Sequence, residues 1–436
     1  MSRREPSLEG VHWVPRSEEP PFEPDAGASI RDEYDLAIVG AGYSGLSIAF
    51  NAALHGLSVL VLEAGKVGWG ASGRNGGFVV PHFVGPLSAD TAAGLVGETR
   101  GERLAQTVAD GPDYVFGLIR EHQIRCHAEQ NGWIQPGHSQ RSLAIVRANY
   151  EAWRKRGRDV EWLDAEELKV RTGASNYLGG WYGPTGGTVN PYALAQGLAR
   201  VARARGVDIR EGAEVFAMRG DDTARVLVTE DAEFRARQVV FATNGYTPGG
   251  VMEGLSRTVI PIRLYHYFTR PLTRDELAIT LPQRIPITDI RKSGGFVRLD
   301  AENRVIAGGL VFGYGDNRPY GERHARLRLS QIFPHLRDVA FESYWEGSCS
   351  VSDDGLPVIQ RAAGNVYTLA GFMTRGVAMS QTLGRDLGEF LAGKRSEADM
   401  PLPITELRPV PLQPLKTLIG RYAFPAFKLR DRLGLS

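Results

Sequence analysis

Cysteine is nearly missing from this chain: 436 residues hold two, Cys126 and Cys349. Two cysteines so far apart build no disulfide framework, and neither has the spacing of a metal-ligand set. Cys126-His127 stands alone, so no metal is expected. A reducing, cytoplasmic setting fits. An excess of either charge is missing too. The 51 Lys+Arg and 50 Asp+Glu leave a net charge of +1, so no global field draws nucleic acid. No uninterrupted apolar run reaches about 18 residues, so no transmembrane helix is expected. The stretch MSRREPSLEGVHWVPRSEEPPFEPD lacks the apolar centre of a secretory signal. Internal repeats and low-complexity tracts are absent as well. What is present is ordinary: 42% hydrophobic and 23% charged residues, the balance of a soluble globular protein. The length suits two intimately joined domains.

The strongest local signal runs from Asp35 to Glu63, DLAIVGAGYSGLSIAFNAALHGLSVLVLE. Leu36 to Val39 is an apolar run of strand length. Gly40, Gly42 and Gly45 follow in the spacing G-x-G-x-x-G, then an apolar segment of helical length from Leu46 to Leu54. His55-Gly56 breaks it, and a second strand, Ser58 to Leu62, ends in Glu63. This is a complete dinucleotide-binding βαβ unit. Gly40 permits the turn, Gly42 admits a pyrophosphate, and Gly45 lets helix and strand pack closely. The helix start, with Ala41, Tyr43 and Ser44, offers N–H groups and a positive dipole end to phosphate. Glu63 stands where an acid takes ribose hydroxyls, which disfavours a 2′-phosphate and hence NADP. Ala64 follows it.

Between Gly65 and Gly77 the chain is too glycine-rich for regular structure, so a loop approaches something flat or charged. Gly68 to Gly77 reads GWGASGRNGG. With this block the chain resembles the D-amino-acid-oxidase superfamily of flavoproteins, in particular its γ-glutamylputrescine-oxidoreductase-like branch. Three further blocks follow in the expected order. Thr243-Asn244-Gly245 ends a strand, Val239 to Ala242. Trp345, Gly347, Asp354 and Pro357 match W-x-G followed by D-x-x-P. Gly371 to Gly376 reads GFMTRG, with Thr374 and Arg375 where relatives read Gly-His. The resemblance covers residues 34 to 395. It implies FAD as cofactor, bound by a Rossmann-like domain into which a mostly antiparallel β-sheet substrate domain is inserted (α/β, α+β).

On that basis residues 34–125, 190–250 and 340–395 are expected to form the FAD-binding domain, and 126–189 with 251–339 the substrate domain. Residues 1–33 read as an extended surface arm with Trp13, Val14 and Phe22 as isolated apolar anchors, and 396–436 as a basic-apolar C-terminal arm packed on the domain, with a membrane-surface or partner-binding segment as the other readings. Helices are expected within 87–122, over 138–157, over EWLDAEELKVRTG with Asp164 and Glu167 as a capping box, from Pro191, over HARLRLSQIF and from Val377 to Leu391. VIPIRLYHYFTRP reads as a long strand, and RLDAENRVIAGGL as a hairpin turning at Ala301-Glu302-Asn303.

The resemblance implies hydride transfer from the carbon beside an amine nitrogen to flavin N5, with the imine hydrolysing to aldehyde plus amine or ammonia. The acceptor is O2, giving H2O2, or another electron acceptor. Cofactor contacts are expected from Gly70, Ala71, Ser72, Arg74, Asn75, Gly76 and Gly77, from Val215, from Thr243 to Gly245, and from Gly371, Met373, Thr374, Arg375, Gly376 and Val377. The helix from Val377 would aim the N–H groups of residues 375–377 at the flavin. Candidate substrate-side residues are Arg74, Arg375, His82, and Tyr265 with Tyr267. The two tyrosines share one side of their strand, with His266 on the other. Some relatives attach flavin through a Cys near W-x-G; Cys349 is offset from that place, so non-covalent FAD is expected. The favoured substrate is a small secondary, γ-glutamylated or ω-anionic amine. The alternative is an N-methyl-amino-acid or D-amino-acid oxidase or dehydrogenase, for which Arg74, Arg291, Arg298 and Arg375 are carboxylate-clamp candidates. A tRNA-modifying or accessory flavoprotein is a remote alternative that the balanced charge speaks against.

Overall fold

The computed structural model describes residues 7–25, 30–247 and 249–434. Residues 1–6 and 26–29 of the expected N-terminal arm, residue 248, and the last two residues of the C-terminal arm lie outside these. The Asp35–Glu63 unit forms as expected: strand β1 (Tyr34–Val39), helix α1 (Tyr43–Leu54) and strand β2 (Val59–Leu62). The two strands are parallel, with Val39 opposite Leu62. Both are buried, as fits a parallel strand covered on two faces. They sit inside a nine-stranded sheet whose parallel centre runs Asp208–Arg210, β2, β1, Glu233–Phe241, Val366–Ala370. Antiparallel Val358–Ala363 and then Ile404–Glu406 extend one edge. Helix α1 packs between this sheet and the long helix Gly376–Leu391.

A Cβ on Gly45 would fall 1.9 Å from the Gly40 carbonyl oxygen, so only glycine allows α1 to lie this close to the turn. Gly40 itself has φ +107°.

The second sheet system is mostly antiparallel. Ile260–Thr269 lies between Ile306–Leu310 and Phe341–Val351. A five-stranded sheet, Phe296–Val297, Ile287–Thr288, Trp133–Gly137, Gly179–Gly183, Glu161–Asp164, completes it, with one parallel pair. The long strand Phe341–Val351 pairs along its whole length with Ile260–Thr269. Residues 341–351 therefore belong to the second sheet rather than to the FAD-binding segment expected to begin at 340.

Other differences have local reasons. EWLD is a strand, not the start of a helix: Glu161–Asp164 finds a partner in Gly179–Gly183. The helix then begins at Ala165, and the capping box of Asp164 and Glu167 is present. Asn190 caps the helix Pro191–Ala204, with proline at its first position. The N-terminal segment is tied down through its apolar anchors, more deeply than an arm merely lying on the surface. Val11, Trp13 and Phe22 are buried, and His12 pairs with Asp300 at 2.9 Å inside the protein. The C-terminal arm holds two helices, Gln413–Tyr422 and Phe424–Arg432.

Candidate active site

Parallel pairing brings the carboxyl ends of β1, β2, Glu233–Phe241 and Val366–Ala370 to one edge. Gly40, Glu63, Thr243 and Gly371 follow these ends. This is the crevice where ligands of open α/β sheets bind. A cavity of about 1480 Å³ opens there, above the ~300–1,000 Å³ of ordinary small-molecule sites. It runs from the first sheet to the second and to the first of the C-terminal helices.

At the first end it is lined by Gly40, Gly42, Tyr43 and Ser44, then by Glu63, Ala64 and Val215. Helix α1 starts at Gly42 with no side-chain cap, so its N-terminus faces the cavity as an anion site. A Cβ on Gly42 would stand 2.9 Å from Ser72 Oγ and narrow this approach. Ser72 Oγ accepts from the Tyr43 N–H at 2.9 Å, tying the glycine-rich loop to the helix start. Glu63 accepts from the N–H groups of Ala41 (2.8 Å) and Gly65 (2.9 Å). Burial pushes its carboxyl pKa up, and these two bonds oppose that. Ala41 and Gly45 shape the turn without lining the cavity.

The middle is walled by Gly70, Ala71, Ser72, Asn75 and Gly76, and across from them by Thr243, Asn244 and Gly245. The Asn75 side chain is spent on its own loop: Oδ1 accepts from Gly77 N at 2.7 Å, and Nδ2 donates to Ala71 O and Ser72 O. Gly77 lies behind the wall at φ +71°, where a Cβ would meet Val189 O at 2.1 Å. Asn244 Oδ1 accepts from Gly371 N at 3.1 Å and from the Ser350 hydroxyl, joining both sheets beside the cavity.

Farther along, Phe372, Thr374, Gly376 and Val377 line the cavity at the uncapped N-terminus of Gly376–Leu391. The expected donors are partly used elsewhere. Arg375 N donates to Phe372 O (2.8 Å) and Met373 N to Ser350 O (3.2 Å). Met373 and Thr374 adopt φ +51° and +64°, conformations that cost a non-glycine residue energy.

The expected substrate-side residues do not converge on this cavity. Arg375 turns away from it: Nε donates to Phe83 O at 3.4 Å and a terminal nitrogen to Thr288 Oγ1 at 3.2 Å, with the guanidinium carbon 5.8 Å from the Trp133 ring centre. Burial lowers its pKa to about 10, which leaves it charged. Arg74 is buried and holds the loop, Nε donating to Trp69 O at 2.9 Å, while Trp345 Nε1 donates to the Arg74 carbonyl. His82 is enclosed by Trp133, Trp153 and Trp181; its Nδ1 accepts from Trp153 Nε1 at 2.9 Å, and burial lowers its pKa to about 3. Tyr265 and Tyr267 share one face of their strand, as alternation requires, but it is the face turned to helix Arg318–Ile332. The Tyr265 hydroxyl bonds His324 Nδ1 at 2.6 Å, and that of Tyr267 donates to Arg318 O. His266 on the other face stacks on Trp345, 5.0 Å between centres. Arg298 donates to three loop carbonyls, and Arg291 pairs with Asp289.

In their place the far wall carries Ile262 and Arg263, Ser348 to Ser350, Tyr314, and Gln413, Thr417 and Arg421 of the C-terminal helix. Trp69 and Tyr246 also line the cavity, their rings 5.5 Å apart. Trp69 lies inside the GWGASGRNGG block, so its sequence signal was available. Arg421 had none beyond a basic-apolar tail.

Fold and crevice define an FAD-binding oxidoreductase, and the residues fit that cofactor. An uncapped helix start meets a glycine-narrowed approach, with an acid at the neighbouring strand end. The comparisons agree. The family described as "DAO: FAD dependent oxidoreductase" matches residues 35–390, and the chain belongs to it. It is an enzyme, an FAD-dependent oxidoreductase of the amine class, and FAD is its cofactor. It is 29% identical over 408 residues to γ-glutamylputrescine oxidoreductase of Escherichia coli (strain K12), covering 92% of this chain and 93% of that protein. It is 26% identical to glycine oxidase of Geobacillus kaustophilus (strain HTA426) over 84% of this chain and 95% of that protein. The crystal structure of glycine oxidase from Geobacillus kaustophilus superposes with a TM-score of 0.68, covering 84% of this chain and 96% of that one at 25% identity. L-Proline dehydrogenase from P. horikoshii shares the fold, with a TM-score of 0.70 at 18% identity over 85% of this chain and 96% of that one.

Proposed function

We propose that the protein oxidises a small secondary or γ-glutamylated amine with an anionic group distant from the nitrogen, and passes the electrons to O2. FAD, when bound, supplies the two-electron acceptor for a hydride leaving the carbon beside the nitrogen. The imine that remains hydrolyses in water to aldehyde plus amine. The helix start at Gly376 and Val377 stabilises negative charge at that end of the cavity. The described cavity wall holds no histidine or lysine, which suits a substrate that arrives as the neutral amine and needs no protein base.

One observation supports the anionic end. Arg421 lines the cavity, its guanidinium carbon 4.0 Å from the Tyr314 ring centre, and no carboxylate partner stands by it among the described residues. The arginines suited to clamp an α-carboxylate are engaged elsewhere, and Arg263, also on the wall, is already paired with Glu346. The activity named for the Escherichia coli relative points the same way.

The test is anaerobic flavin reduction against γ-glutamylated amines, unsubstituted amines, N-methyl amino acids and D-amino acids, followed by peroxide detection in air. γ-Glutamylated amines reduce the flavin fastest. Arg421→Gln raises their KM about tenfold or more, as loss of a charge-assisted contact does, and leaves unsubstituted amines unaffected. Reduction by α-amino acids alone would sink this reading and establish the amino-acid oxidase alternative. Turnover with a dye but no peroxide in air would make the enzyme a dehydrogenase.

A further inference from the structure

The two C-terminal helices carry a set of apolar side chains left largely exposed by the described residues, although Tyr422 also packs against Phe312 and Tyr314. Leu412, Leu415, Ile419, Tyr422, Leu429 and Leu433 recur at intervals of three, four or seven residues and are 48–71% exposed. Within the first helix that spacing puts Leu415, Ile419 and Tyr422 on one side of consecutive turns, and Leu429 with Leu433 repeats it at the end of the second. Among the described residues sixteen large hydrophobic side chains are exposed, and seven of them fall within 412–433. The others are scattered, as single exposed hydrophobics normally are, whereas clustering marks an interaction surface.

The opposite side of the pair is anchored. Gln413 Nε2 donates to Val259 O at 3.0 Å, Phe424 is fully buried, and the Asp431 carboxylate accepts from the Ser293 hydroxyl beside Arg328. The stripe therefore faces outward from a fixed base.

Charge identifies the occupant. Residues 412–434 hold five basic residues and one acid, Asp431, which is turned inward; Arg421 faces the cavity and Lys416 pairs with Asp353, while Lys428, Arg430 and Arg432 stand on the second helix. A second copy of this chain would set one basic face against another. Side chains this exposed protrude instead of lining a groove, which suits insertion into a fluid interface. No helix among the described residues is long and apolar enough to cross a membrane, so the pair would lie in the interface plane.

We propose that the C-terminal helix pair is a docking surface for an anionic lipid bilayer. The helix Gln413–Tyr422 also walls the cavity through Gln413, Thr417 and Arg421, so docking sets one wall of the active site beside the lipid. The inference is independent of which amine is oxidised.

The FAD-loaded full-length protein is tested by co-sedimentation with vesicles of phosphatidylcholine alone and of phosphatidylcholine mixed with phosphatidylglycerol. The expected result is binding to the mixed vesicles only, released by salt. Lys428→Gln with Arg432→Gln weakens it about fivefold per charge. Leu415→Glu with Ile419→Glu weakens it more than about tenfold, while melting temperature and flavin content stay unchanged because both side chains are exposed. No binding to the mixed vesicles overturns the proposal, as does equal binding to neutral vesicles or binding indifferent to the glutamates. Sedimentation velocity showing a dimer that the glutamates dissociate also overturns it and assigns the stripe to a second copy.

Discussion

Two neighbouring glycines have different reasons to be glycine, and the difference is measurable. The Cβ of Gly45→Ala would meet a backbone carbonyl at 1.9 Å, and backbone cannot step aside cheaply. Overpacking of this kind costs about 1–3 kcal/mol or more, so Gly45→Ala is expected to lower the melting temperature of the apoprotein itself. The Cβ of Gly42→Ala would meet only the Ser72 hydroxyl, at 2.9 Å, and that side chain can rotate. This variant is expected to fold with a near-normal apoprotein melting temperature and to lose FAD affinity, read by titration of flavin into apoprotein. If both variants behave alike, the division between a packing glycine and a ligand glycine fails. At the other end, Arg375 shows how a motif position can keep its backbone place and not its role. The chain passes the cavity at Thr374 and Gly376, while the side chain between them points into Phe83, Thr288 and Trp133.

Among the elements, the N-terminal segment acts as a clamp. Trp13 is 2% exposed, and its Nε1 donates to the Asn75 carbonyl at 2.8 Å, in the loop that walls the cavity. It packs against Phe268 and Trp345, and the Arg298 guanidinium carbon lies 5.1 Å from its ring centre. Removing a buried tryptophan costs about 3–5 kcal/mol. Trp13→Ala is therefore expected to lower the melting temperature and to speed flavin release, because it frees a loop carbonyl as well as opening a cavity. Trp13→Phe keeps most of the packing and loses the hydrogen bond. It should show faster flavin release with a smaller drop in melting temperature. Equal flavin retention in all three proteins would show that the segment stabilises the fold without holding the loop.

For the whole molecule, burial of neutral histidines contributes to the response to acid. Desolvation is the leading cause that lowers His82, His266 and His324 to about 3 each. In the unfolded chain each returns to about 6.5. Below pH 6.5 the unfolded state takes up protons that the folded state refuses. The stabilisation is complete above the unfolded value and is lost as pH falls from 6.5 toward 3. Each such histidine contributes a slope of about 1.4 kcal/mol per pH unit in that window. Melting temperature is expected to fall steadily between pH 6.5 and 5, and His324→Gln should flatten the decline. A profile level down to pH 5 would mean that these rings reach solvent.

The sequence alone determined what depends on local geometry. Gly40, Gly42, Gly45 and Glu63, within about thirty residues, specify a strand, a turn, a helix and an acid through backbone conformation and short-range packing. The GWGASGRNGG block and the Thr243–Gly245 turn work in the same way, so the cofactor end was legible. The substrate end was not. The side of the strand that Tyr265 and Tyr267 face depends on which layer covers it, and alternation supplies the pairing of side chains but not the sign. Arg74, Arg375 and His82 carry the residue types of an active site, yet their directions follow from carbonyls and tryptophans far away in sequence. Tertiary structure alone brought Arg421, more than 350 residues after the glycine turn, to the same cavity. Contacts at such separation leave no periodic or spacing signal along the chain, because only the closed fold makes them neighbours.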